Sequence, residues 1–414
     1  MSIQKEHGYV RTRPLVAANL RNKREFIEKL DETMYRWLRR LKIFFYAPFV
    51  VEHIYVRGYE NLPCDREPGP VLAFSHKKWH DAVAVLGYMA GRPLERFHNA
   101  TLVGQAGLFN AMYVYQDLAP DFLKGSFLQR PLVRLVKFLS RGVIRFMEVI
   151  HVHPVYRDAD VPGSRDEYES SEFAGPILMG MDYEQFLKQA SRVTRQSIIC
   201  TQQEMERENY CFLIFPEGIY SHDGAVAEPQ DLAGYAAFRK QRPVVYISLS
   251  YDELCLDRLR RVTCWIITAK PQAPPAHKDD IGDYLQAGRE QLQRNTVITA
   301  SNLIALTVRS FKKTKQFRRG DFDAKFHAFA DLLVAGPFPF DPGLKNVEYR
   351  ADRLRRFFRS HRFFFTNSRD RYSFNEERMA HFLPSERAVN DIDWNANNVR
   401  HAWDYLGGDA EPLF

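Results

Sequence analysis

Several features that would place a chain quickly are scarce or missing here. The five cysteines, Cys64, Cys200, Cys211, Cys255 and Cys264, include no CxxC pair. That leaves no zinc knuckle, no redox motif and no disulfide framework to read, and reduced thiols are expected. No apolar run reaches the roughly 20 residues that cross a bilayer. Ile43–Val51 is broken by Pro48, and Thr296–Val308 carries several hydroxyls. The opening residues, "MSIQKEHGYVRTRP", lack the apolar centre of a secretion signal. A cytoplasmic chain that meets any membrane from the side, as a peripheral protein, is therefore expected. Internal repeats are absent as well.

Negative charge is the scarcer sign. Lys and Arg number 58 against 51 Asp and Glu, for a net charge of +7 and a pI near 9.0. Such a balance favours anionic partners such as phosphorylated metabolites, an acidic membrane surface or nucleic acid. No nucleic-acid module accompanies the charge, so no nucleic-acid partner is expected. With 45% hydrophobic residues in 414 positions the chain can bury a substantial core, which excludes general disorder.

The pattern along the chain divides it into three. Residues 1–49 contain an amphipathic helix over 22–45, with Ile27, Leu30, Met34, Trp37, Leu38 and Leu41 at 3–4 spacing and Arg36, Arg39, Arg40 and Lys42 flanking its second half. It could pack on a core or lie on lipid. Residues 50–280 alternate between strand-like and helix-like runs. The strands are "HIYVRGYENLP", "GPVLAFSH", "EVIHVHPVYR", "YCFLIFPEG", "PVVYISLSY" and "RVTCWIITAKP", with helical stretches at 127–146 and 182–208. The fold class this implies is α/β, a mixed and largely parallel sheet flanked by helices. Residues 281–414 form a helical, Arg- and Phe-rich extension. Within it, 350–371 holds eight arginines against two aspartates, with Phe357, Phe358, Phe363, Phe364 and Phe365 interleaved. An aromatic, basic helix of this kind suits an anionic membrane surface, and it equally suits packing against the rest of the protein.

Chemistry gathers at two strand ends. In "FSHKKWHDAV", His76 and Asp81 stand five residues apart, where a strand gives way to a helix-prone run. On one continuous helix they would point roughly 140° apart. With His76 in the loop and Asp81 in the first helical turn they can meet. A neutral imidazole oriented by a carboxylate is then a good general base. By spacing alone, an ordinary surface turn is the reading that prevails. The second end is "IFPEGIYSHDG", where Glu217 follows a stiffening Pro216 and Gly218 lets backbone approach a ligand. Glu217 could hold a hydroxyl or order an arginine, and by itself it could be a turn glutamate.

Taken together these blocks resemble the glycerolphosphate acyltransferase superfamily, which includes the lysophosphatidic acid acyltransferases. The resemblance rests on His-x4-Asp at His76–Asp81, with Trp79 at an often aromatic position, and on Phe-Pro-Glu-Gly at Phe215–Gly218 followed by Ser221. "YVRGYENLP", "RPVVYISLSYDEL" and "CWIITAKP" resemble the segments that open and close the domain, in order over roughly residues 50–275. The resemblance implies an O-acyltransferase of phospholipid biosynthesis. His76 would be the base, Asp81 its partner, and a substrate hydroxyl the nucleophile on an acyl-CoA or acyl carrier protein thioester, with neither cofactor nor metal. Lysophosphatidic acid is the first acceptor it implies, and glycerol 3-phosphate the alternative. A former acyltransferase retained as a lipid-binding module is the competing class. Arg157 fits the family's phosphate-binding arginine, although the glycine usual upstream of it is missing from "EVIHVHPVYR". Glu217 and Gly218 are the further substrate-binding expectations. Lys77 and Lys78 stand where small or polar residues are usual, and either bind phosphate or are solvated. For the oxyanion, backbone amides near the start of the helix are the candidates. His80, His151 and His153 invite a metal reading, but no carboxylate cluster accompanies them and a structural role is expected.

Overall fold

The computed structural model describes residues 51–63, 69–78, 81, 84–85, 88, 99–105, 152–156, 161–170, 181–206, 210–218, 220–368, 370–375 and 389–407. The N-terminal amphipathic helix expected over 22–45 and the helical stretch 127–146 lie outside these residues. The described residues fall into two compact units.

In the smaller unit, β3 (Asn99–Gln105) lies between β4 (Val152–Val155) and β5 (Tyr210–Ile214), parallel to both. Two helices belong to it, α1 (Arg165–Ser170) and the longer α2 (Tyr183–Met205), which packs across the three strands. Asp182 caps α2 by accepting from the Gln185 amide at 2.8 Å, which satisfies one of the orphan donors of its first turn. The buried side chains Phe186, Ala190, Val193, Ser197 and Cys200 recur every three or four residues and form the stripe that faces the sheet. Strand β3 carries little strand signal in the sequence. Its run "NATLVGQ" has few apolar residues and a glycine, and the sheet on both sides supplies what propensity does not.

The larger unit carries the order β1–β7–β6–β2, from β1 (Val51–Arg57), β2 (Val71–Phe74), β6 (Val244–Tyr251) and β7 (Val262–Thr268). β1 runs parallel to β7, β7 antiparallel to β6, and β6 parallel to β2. The fold class is thus α/β, mixed and mainly parallel with helices against it. Every residue of β6 is buried, the mark of a central strand covered on both faces. Helix α3 (Leu232–Lys240) lies near β2, and α4 (Ile281–Arg294) packs on α3 and β6. Gly288 permits that contact, since a Cβ there would come within 2.0 Å of the Tyr246 ring.

Residues beyond 300 build a second core around α5 (Ala300–Ser310), which is buried on all sides from Ala300 to Arg309. Around it are β8 (Gln316–Arg318), α6 (Arg319–Ala335), α7 (Val347–Ser360), β9 (Phe365–Ser368), β10 (Arg371–Phe374), α8 (Asp391–Asn397) and α9 (Trp403–Leu406). The three short strands form an antiparallel sheet in the order β8–β10–β9. Phe322, Phe326 and Phe357 are fully buried here, each contributing about 1.5–3 kcal/mol of apolar burial.

The first part of the arginine-rich segment lies in α7, and one face of that helix packs on the protein while Arg355 stays exposed. Leu354 and Phe357 enter the core, Arg350 pairs with Asp331 at 2.7 Å, and Arg356 bridges Asp352 and Glu52. Arg353 is buried beside Asp252 at 3.3 Å. Among the described residues no helix is long and apolar enough to cross a membrane. Cys200, Cys211, Cys255 and Cys264 are buried, and burial pushes the Cys200 thiol up to about 11.

Candidate active site

The site assembles where β2 ends. Ser75 continues the pairing, donating its amide to the Ile247 carbonyl at 3.0 Å and accepting from the Leu249 amide with its Oγ at 2.9 Å. The chain then leaves the sheet, and Asp81, Ala84, Val85 and Tyr88 are helical. This kink carries out what the five-residue spacing requires. His76 Nδ1 lies 2.9 Å from Asp81 Oδ2.

Asp81 is completely buried and ringed by donors. Its Oδ2 also accepts from the amides of Lys77 at 2.5 Å and Lys78 at 2.9 Å, and its Oδ1 accepts from the Tyr251 hydroxyl at 2.6 Å. A carboxylate so surrounded acts as an acceptor, so the proton of a neutral His76 sits on Nδ1 and Nε2 keeps its lone pair. The imidazole stacks on Phe215, with ring centres 4.1 Å apart, and leans on Tyr220 at 4.3 Å. Its side chain is 16% exposed. The ring is therefore clamped, oriented and open to an incoming molecule.

Glu217 is close, but it faces protein backbone. Its Oε1 accepts from the His76 amide at 2.6 Å and its Oε2 from the Ala227 amide at 2.8 Å. Gly218, with φ of 71°, closes the turn by donating to the Phe215 carbonyl at 3.0 Å. The Ser221 amide donates to the His76 carbonyl at 2.9 Å. Glu217 of the Phe-Pro-Glu-Gly turn and Ser221 beyond it thus grip the histidine's main chain on both sides. Where a substrate hydroxyl or an arginine is expected, the partner that each Glu217 oxygen has here is a backbone amide.

The lysines correct another expectation, for neither is solvated. Lys77 is buried and donates its ammonium to the Gly224 carbonyl at 3.1 Å. Lys78 is buried too, paired with Glu253 and lying over the Tyr251 ring at 4.4 Å. Burial pulls Lys77 down and pushes Glu217 up, each towards its neutral form, while the opposite charge of the other opposes both shifts. Both ammonium groups are engaged inside the protein, which overturns the solvated alternative. The amides proposed for the oxyanion, at the start of the helix, meet the same fate where described, since those of Lys77 and Lys78 point at Asp81.

Arg157, Trp79, His80 and His151 lie outside the described residues. His153 is buried, with Nε2 at 2.8 Å from Glu204 on α2, as a structural histidine would be. Among the described residues no group of three or more His, Cys, Asp or Glu side chains could hold a metal ion. A groove of about 410 Å³ between α6 and α7, lined by Arg319, His327 and Arg355 among others, contains none of the residues around His76.

Tyr251 belongs to the site without any motif that marks it. Its only sequence signal is position. It closes β6, four residues beyond Ile247, which pairs with Phe74, so it overshoots the end of β2 and reaches Asp81. Trp394, whose Nε1 donates to the Ser221 carbonyl at 2.9 Å, lies in a polar, weakly patterned stretch that carries no such signal.

No protein-family model matches the chain, and no curated protein does. Among solved structures it is similar to the 1-acyl-sn-glycerophosphate (LPA) acyltransferase PlsC from Thermotoga maritima. The match is 17% identical and covers 70% of this chain and 87% of that one, with a TM-score of 0.31. So loose a superposition carries no argument about chemistry.

Proposed function

We propose that the protein is an O-acyltransferase in which His76 is the general base. The observation that supports this most is the 2.9 Å contact between His76 Nδ1 and a fully buried, multiply bonded Asp81, on a ring whose side chain is partly exposed. Nε2 takes the proton of an acceptor hydroxyl as its oxygen attacks the carbonyl carbon of an acyl thioester. The tetrahedral intermediate collapses, the C–S bond breaks, and the imidazolium returns the proton to the departing thiolate. An ester and a free thiol result, and no acyl-enzyme is needed. Asp81 keeps the tautomer and favours the imidazolium, while Glu217 acts on the chemistry by fixing the histidine's backbone.

The finer reading comes from the sequence blocks. The donor is an acyl-CoA or acyl carrier protein thioester, and the acceptor is a glycerol phosphate, with 1-acylglycerol 3-phosphate ahead of glycerol 3-phosphate. A net charge of +7 suits work at an anionic membrane surface, where a lysolipid acceptor would be met. The test is to incubate purified protein with labelled acyl-CoA or acyl carrier protein and a panel of lysolipids and glycerol 3-phosphate on anionic vesicles. A labelled ester with one of the acceptors is expected. A folded protein that binds the vesicles and transfers nothing across the panel would mark it as a lipid-binding homologue.

A further inference from the structure

We infer that helix α8 (Asp391–Asn397) is a positioning element for His76, resting on the reading of that histidine as the base. The loop 220–224 touches the imidazole and its main chain directly. Tyr220 flanks the ring and the Ser221 amide holds the His76 carbonyl. The same loop is fastened from its far side by α8, 173 positions downstream. Trp394 Nε1 donates to the Ser221 carbonyl at 2.9 Å, and Asn397 Nδ2 donates to the Asp223 carbonyl at 2.8 Å. Gly224, at φ of 92°, lies against the helix so closely that a Cβ would fall 2.1 Å from the Trp394 carbonyl oxygen. Gly224 is also where Lys77, the residue after the base, anchors its ammonium.

The helix can act as a fixed support because it is itself held by the buried α5. Asn302 Nδ2 donates to the Asn395 carbonyl at 2.8 Å, and Arg309 pairs with Asp393 at 3.0 Å, both of these 1% exposed. Breaking one side of such a buried pair is costly, so α8 has little freedom to move. Its N-cap, Asn390, accepts from the Asp393 amide at 2.9 Å. A continuous path of packed and bonded groups therefore runs from α5 through α8 and the loop to the imidazole. Positioning at this level matters because a small displacement of a general base lowers the rate of proton transfer without touching substrate affinity.

The experiment uses the full chain with Trp394→Phe, which keeps a ring and removes the donor, and with Asn397→Ala as a second cut at the same support. Two readouts are taken on folded protein. The first is the rate at which diethyl pyrocarbonate modifies His76, measured by peptide mass spectrometry against the exposed His53 as internal reference. The second is acyl transfer, resolved into kcat and KM. The expected result is a severalfold change in the His76 modification rate relative to His53. With it, kcat falls about tenfold and the KM for the acyl donor stays within about a factor of two. Unchanged His76 reactivity and unchanged kcat in both folded variants would overturn the inference, as would a loss confined to KM. If the wild-type protein transfers no acyl group, the functional reading fails by itself, and the His76 modification rates still decide whether α8 positions the ring.

Discussion

Replacing Tyr251 by Phe tests the electrostatics of the His76–Asp81 pair with the smallest possible change. The hydroxyl donates to Asp81 Oδ1 at 2.6 Å, while the other oxygen serves His76 and two amides. Burial and the Asp81 charge raise the Tyr251 hydroxyl well above its usual range, so it remains a donor wherever the enzyme works. A hydrogen bond to a charged group contributes about 1.5–3 kcal/mol. Without it Asp81 Oδ1 loses this donor inside a fully buried site. Stability should fall by about 1–3 kcal/mol from the stripped oxygen. A carboxylate held less firmly also loosens the 2.9 Å contact that orients the imidazole, so kcat should fall about tenfold while KM stays within about a factor of two. Denaturant melts and steady-state rates measure both. A folded Tyr251→Phe protein with wild-type stability and wild-type kcat would refute the reasoning.

Other perturbations have equally definite outcomes. Asp81→Asn should lower turnover about a thousandfold or more, since an amide can hold the wrong tautomer, and stopped assays of transfer would show it. Glu217→Gln supplies one acceptor oxygen for the two amides of His76 and Ala227, so a melt should show a loss of about 1–3 kcal/mol, with reduced kcat from the displaced histidine. Asp341 is pushed up to about 6, chiefly by burial, with Tyr349 and Gly343 as donors opposing the shift. The folded chain therefore binds a proton there that the unfolded chain releases near pH 4. The associated stability is fully present below pH 4 and fades as pH rises to 6, about 3 kcal/mol in all. The buried His361, pulled down to about 4 by burial, acts with the opposite sign over the same window. Asp341→Asn should consequently lose more stability than wild type on going from pH 6.5 to 4.5, measured by urea unfolding at each pH.

The parts of this architecture visible in the sequence are those that depend on local pattern. The apolar runs of β2, β5, β6 and β7 and the periodicity of α2 all report burial along one element, and burial is what those residues have. The meeting of His76 and Asp81 was legible for a similar reason, because a strand-to-helix junction brings residues five apart onto one side. Tyr251 and Trp394 were hidden because their contacts to Asp81 and Ser221 span 170 and 173 positions. No periodicity encodes a partner that far away. The lysines misled for the opposite reason. In a charged turn they read as exposed or ligand-bound, yet Glu253, the Gly224 carbonyl and the carboxylates around Lys77 make their burial tolerable. The arginines of α7 repeat that lesson, since Asp252 and Asp331 come from elsewhere in the chain to meet them.

The claim beneath the rest is that the imidazole of residue 76 moves the acceptor's proton. It is tested most directly by His76→Ala in the labelled acyl-transfer assay, with circular dichroism and a thermal melt to establish the fold. A native melt and turnover reduced by roughly a thousandfold or more are expected. Transfer at the wild-type rate from a folded His76→Ala protein would contradict the claim.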